Sequence, residues 1–132
     1  MKDTEYGMHR HMPGVTYEEA IERVTAALKE QGFGILTRID VAETLKAKIG
    51  ADFRPYVILG ACNPVLAHQA LSADDNIGLM LPCNVCVYEQ DGQVTIAVIK
   101  PKAAMEAVGN DRLSDVAASI EAKLEKIFAA VS

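Results

Sequence analysis

Apolar positions along the chain switch between a period near 3.6 and a period of two, and the switches mark out the elements. Thr4 to Met12 alternates, with Tyr6, Met8 and Met12 on one face and Glu5, His9 and His11 on the other. That predicts a first strand, ended by Pro13-Gly14. Thr16, with Glu19 three residues on, reads as a capping box. It opens a helix whose Tyr17, Ala20, Ile21, Val24, Ala27 and Leu28 form one apolar stripe, closed by Gly32. Phe33 to Ile39 predicts a second strand with Phe33, Ile35 and Ile39 inward. Asp40 with Glu43 starts a short helix ending at Gly50, left mostly solvated by Lys46 and Lys48.

Arg54 to Gly60 is an apolar run of strand length, suited to a central strand. Asn63-Pro64 is an N-cap followed by proline at the first helical position, with Leu66, Ala67, Ala70 and Leu71 as the buried side. Asn76 to Glu89 reads as a long strand interrupted by Pro82, which implies an edge position or a bulge. Asp91-Gly92 predicts a tight hairpin, with Val94, Ile96 and Val98 on the return strand and Pro101 stopping it. A helical turn is expected over 103–108. A long helix follows from about Arg112, its stripe made of Leu113, Val116, Ala117, Ile120, Leu124, Ile127, Phe128 and Val131.

Two long one-sided helices need a sheet face to cover, and the final hairpin is antiparallel by necessity. The pattern therefore predicts an α+β fold: one curved, mainly antiparallel five-stranded sheet with two long helices on one face. A doubly wound parallel sheet competes, but the final hairpin and the polar helix after Asp40 count against it. Length, and the lack of repeats or linkers, predict a single domain over 1–132.

Composition narrows the function classes. Half the residues are hydrophobic and the net charge is −5, so disorder is excluded and a phosphate backbone finds little to bind. No nucleic-acid partner is expected. No apolar run reaches membrane-spanning length and the first residues carry no apolar signal core, so no membrane partner and a cytoplasmic location are expected.

Three cysteines are too few for a disulfide scaffold. Cys83 and Cys86 form a C-x-x-C, but in a strand they lie about 10 Å apart and on opposite faces, beyond disulfide reach. Cys62 precedes a helix N-terminus, which favours a thiolate. His68, on the flank of that helix, is a candidate metal ligand or base. His9 and His11 share a strand face, a weak chelating pattern. Signatures for nucleotide, serine-hydrolase and zinc-protease chemistry are absent from the sequence.

Ile58-Leu59-Gly60-Ala61-Cys62-Asn63-Pro64, Leu66-Ala67, Ala70-Leu71, Ile77-Gly78-Leu79, Leu81-Pro82-Cys83-Asn84 and Val87-Tyr88-Glu89 together resemble the domain-of-unknown-function 302 family. Gly32-Phe33-Gly34, Ile39-Asp40-Val41 and Lys100-Pro101 fit the same pattern, which covers about residues 13–131. The resemblance implies a small bacterial or archaeal domain with a β-α-β4-α arrangement similar to the TATA-binding protein, and a homodimer. It supplies no activity or cofactor. Its two motif cysteines fall on Cys62 and Cys83, and Cys86 departs from a commonly aliphatic position.

Three functions follow. The first is a binding module, in which Cys62 and Cys83, with Asn63 and Asn84 as polar neighbours, hold a small ligand or a metal ion, His68 being a further candidate metal ligand. The second is a structural or dimer-interaction domain whose motifs only shape a corner. The third is a thiol enzyme with Cys62 as nucleophile and His68 or a backbone amide as helper.

Overall fold

The structure, a computed structural model, describes residues 3–131; residues 1, 2 and 132 of the expected domain lie outside the described residues. In chain order the elements are β1 (Gly7–His11), α1 (Tyr17–Glu30), β2 (Gly34–Asp40), α2 (Val41–Ile49), β3 (Tyr56–Cys62), α3 (Pro64–Ala73), a 3₁₀ turn (Asp75–Met80), β4 (Cys83–Gln90), β5 (Gln93–Ile99), α4 (Pro101–Glu106) and α5 (Asp111–Val131). The five strands form one sheet in the order β1-β5-β4-β3-β2, and every neighbouring pair is antiparallel. The fold is α+β, as the pattern predicts.

The two helical stripes land where their spacing puts them. Thr16 caps α1 by accepting from the Glu19 N–H at 3.1 Å, and Ala20, Ile21, Val24, Ala27 and Leu28 are buried. All eight stripe residues of α5 are buried. Beneath them alternate strand residues point the same way: Met8 from β1, Val57, Leu59 and Ala61 from β3, Cys83, Val85 and Val87 from β4, and Val94, Ile96 and Val98 from β5. The opposite side of the sheet carries no helix from this stripe-forming set.

Four local readings need correction. Asn76 to Met80 is a 3₁₀ turn, not the start of a strand: the Asp74 side chain accepts from the Asn76 N–H and its carbonyl from the Ile77 N–H, so only Ile77 is buried. Pro82 marks no edge, because β4 is central; the proline stands one residue before the strand, where a missing N–H breaks no ladder bond. Ile39 faces away from the core, since a register shift between Ile35 and Thr37 reverses the alternation of β2. Pro101 opens α4 at its first turn rather than only ending β5.

Helix α2 has no fully buried side chain, only the half-buried Val41, Ala42 and Leu45, in line with its lysines. Among the described residues no helix is long and apolar enough to cross a membrane.

Candidate functional site

The two cysteine motifs meet where β3, β4, α1 and α3 join. Ala61 pairs with Cys83 across the sheet, and Cys62 follows at the strand end. Cys62 and Cys83 border one small cavity with Phe33, Ala67, Leu81 and Ile120. Its volume is about 10 Å³, room for about one water. All three cysteines are free thiols. Cys83 is 5% exposed, and burial, with the neighbouring Cys62 charge second, pushes its pKa up to about 11.

Asn63 is committed to structure. Its side-chain oxygen accepts from the Leu66 N–H at 3.2 Å, capping α3, and its amide donates to the Gln31 carbonyl at 3.2 Å, tying α3 to the end of α1. Gly60 is explained by packing too: an added Cβ would collide with Thr37 Oγ1 and sit 2.7 Å from Pro82 Cγ. The motif glycine and the motif proline therefore touch each other.

Of the residues singled out in sequence, the fold brings Cys62, Asn63 and Cys83 to one corner and leaves the others apart. Asn84 follows Cys83 in an alternating strand, so it lies exposed on the helix-free face. His68 is exposed on α3 and does not border the cavity. Among the described residues no three His, Cys, Asp or Glu side chains form a group able to hold a metal ion, so Cys62, Cys83 and His68 are not an assembled ligand set. His9 and His11 do share the helix-free face; His11 Nδ1 and Thr95 Oγ1 are hydrogen-bonded at 3.1 Å, and His9 Nδ1 is buried without a partner among the described residues.

A larger concavity lies on the helix-free face, about 520 Å³ in volume. Cross-strand pairing builds it: Ile58, Cys86, Ala97 and His9 stand in one row across β3, β4, β5 and β1. Cys86 and Ala97 are small, so they form the floor. The larger Tyr88, Ile99 and His9 rise around them, with Arg54 and Tyr56 at one end. Tyr56 and Tyr88 are paired in register and stack at 5.2 Å with nearly parallel rings. Burial, and after it the hydrogen bond with the Cys86 thiol, push the Tyr56 pKa up. Burial also raises Cys86, against a lowering contribution from that hydrogen bond.

Sequence reasoning missed this groove. Arg54, Tyr56 and Tyr88 looked like ordinary strand residues, and the strand order that brings His9 beside the hairpin pair Cys86 and Ala97 is not written in any local pattern. The available signal was that β3 reads apolar on both faces.

The model of the family described as "Domain of unknown function DUF302" matches residues 8–131, a span that takes in all of β1 but Gly7 as well as the region seen in the sequence. The crystal structure of an uncharacterized conserved DUF302 protein from Bacillus stearothermophilus is similar at 32% identity, with a TM-score of 0.90 over 98% of this chain and 100% of that one. No curated protein matches. With the motifs, the sheet order and the helix placement in agreement, the chain belongs to the DUF302 family.

Proposed function

We propose that the domain is a binding module for a small organic ligand, and that its working surface is the helix-free face of the sheet rather than the Cys62/Cys83 corner. The observation behind this reading is the lining of the groove of about 520 Å³: Tyr6, Tyr56, Tyr88, Cys86, Ala97 and Ile99 with a few polar groups among them, the usual make-up of a small-molecule site. An antiparallel sheet with one face in water normally turns polar residues outward. Here Tyr56, Ile58, Cys86, Tyr88, Ala97 and Ile99 turn outward and are only half-buried.

The corner supports binding less well. Its cavity of about 10 Å³ leaves no room for an organic ligand, and a metal ion would lack a third side chain among the described residues. His68, the base expected for a Cys62 nucleophile, is exposed on α3 and does not line the cavity that Cys62 borders. Its motif residues are sufficiently explained by capping and packing. Ligand-observed NMR with a fragment library tests the assignment. Hits are expected to vanish with Ala97→Phe, which fills the groove, and to survive in Cys62→Ser and Cys83→Ser. The reverse pattern would return function to the corner.

A second observation supports homodimer formation beside the groove. Helix α2 has no fully buried side chain, and with β2 and the following loop it exposes Leu36, Ile39, Ile49 and Phe53. The chain exposes 7551 Å², against about 6,800 Å² expected for a folded monomer of its mass. No residue of β2 or α2 lines the groove, and the two surfaces adjoin where Phe53 stacks on Arg54.

A further inference from the structure

The groove has a direction. Asn84, Cys86, Tyr88 and Gln90 alternate along the helix-free side of β4 and all line it, so it follows that strand for about 20 Å at about 3.3 Å per residue. Its floor is lowest where Cys86 and Ala97 stand opposite each other. Ile99 and the Tyr88 ring add apolar surface on either side.

Formal charge is confined to one end. Arg54 is the only Lys, Arg, Asp or Glu among the described residues that line the groove. Its guanidinium carbon lies 4.2 Å from the centre of the Phe53 ring, and it enters no ion pair among the described residues. The far end offers the uncharged Asn84 and Tyr6. Asp52, Glu89 and Asp91 share the adjoining hollow with Arg54 but none of them lines the groove, so within the groove itself the guanidinium is the single formal charge.

From this complementarity we infer that the groove accepts a single-chain organic carboxylate, its acid group on Arg54 and its hydrocarbon laid along β4. The inference rests on the groove being the working surface. The hydrocarbon removes water from Cys86, Ala97 and Ile99, while the carboxylate gains a charge-assisted, bidentate partner. A dianion would leave its second charge unmatched at this single guanidinium, and a cation would face Arg54 directly.

Isothermal titration of the full chain with decanoate below its micellar concentration, and with decanol as the uncharged analogue, tests it. Decanoate is expected to bind, with decanol at least about tenfold weaker, the worth of one charge-assisted bond. Arg54→Gln is expected to weaken decanoate by about tenfold and leave decanol unchanged, Arg54→Lys to retain most of the affinity, and Ala97→Phe (or Ala97→Val, should the ring disturb folding) to remove both. Equal affinities insensitive to Arg54→Gln overturn the carboxylate assignment while the groove reading stands. No decanoate binding at millimolar concentration also overturns it. Decanoate binding that survives filling of the groove overturns both readings together.

Discussion

A methyl group at Gly60 would run into Thr37 Oγ1 and lie 2.7 Å from Pro82 Cγ, on backbone held by partners on both sides. Gly60→Ala is therefore expected to cost more than about 2 kcal/mol in denaturant unfolding, as other overpacked buried sites do; a loss under about 0.5 kcal/mol would mean that the Gly60–Pro82 contact is not the reason for the glycine. Cys83 gives a pH signature. Burial raises its pKa to about 11 from the usual 9.0, so below pH 9 the folded and unfolded chains both keep the proton. As the pH climbs toward 11 the unfolded chain releases it first, and stability falls by at most about 3 kcal/mol over that window. In Cys83→Ala this share of the alkaline loss should disappear from urea midpoints measured between pH 8 and 11. An undiminished loss would assign it to Tyr56 and Cys86 instead. In the wild-type chain Cys62, half-buried at a helix start, is expected to alkylate before the other two thiols. The cysteine and asparagine letters were visible in sequence, but their partners were not: Gln31, which holds the Asn63 amide, is 32 positions away.

Elements with a single apolar stripe were legible to within a residue or two, because periodicity reports burial directly; α1 and α5 bury the residues their spacing selects. Short elements were not. The segment Ile77-Gly78-Leu79-Met80-Leu81 alternates only by coincidence, and the side-chain bond from Asp74 to the Asn76 N–H decides for a 3₁₀ turn. The register shift in β2 likewise reversed which face Ile39 occupies, a one-residue effect that alternation cannot foresee. Helix α2 is the element whose role is external. Ile49, in its last turn, is 73% exposed, so Ile49→Lys is expected to change monomer stability by less than about 0.5 kcal/mol. In sedimentation the wild-type chain should run at twice its mass and Ile49→Lys together with Leu36→Lys at the single mass. A wild-type chain that stays single across micromolar concentrations would remove α2 and β2 from any self-contact.

At the scale of the molecule, the sheet divides two kinds of surface. One side is a core fixed by two helices and by strand residues of matching phase. The other is an uncovered face with a trough along β4, and the cysteine motifs sit at the junction that holds β3, β4 and α3 in place. Sequence showed the fold and pointed to chemistry at the cysteines, because unusual letters stand out; the trough arises from small residues paired across the β4–β5 hairpin and is walled only once β1 brings His9 beside Ala97. Amide chemical-shift mapping of the full chain during titration with decanoate separates these surfaces most directly. The expected shifts cluster at Gly7 and His9, at Arg54 and Tyr56, along Asn84 to Gln90, and at Ala97 and Ile99. Shifts centred instead on Ala61 to Ala67 and Leu81 to Cys83 would contradict the account and put the binding surface at the cysteine corner.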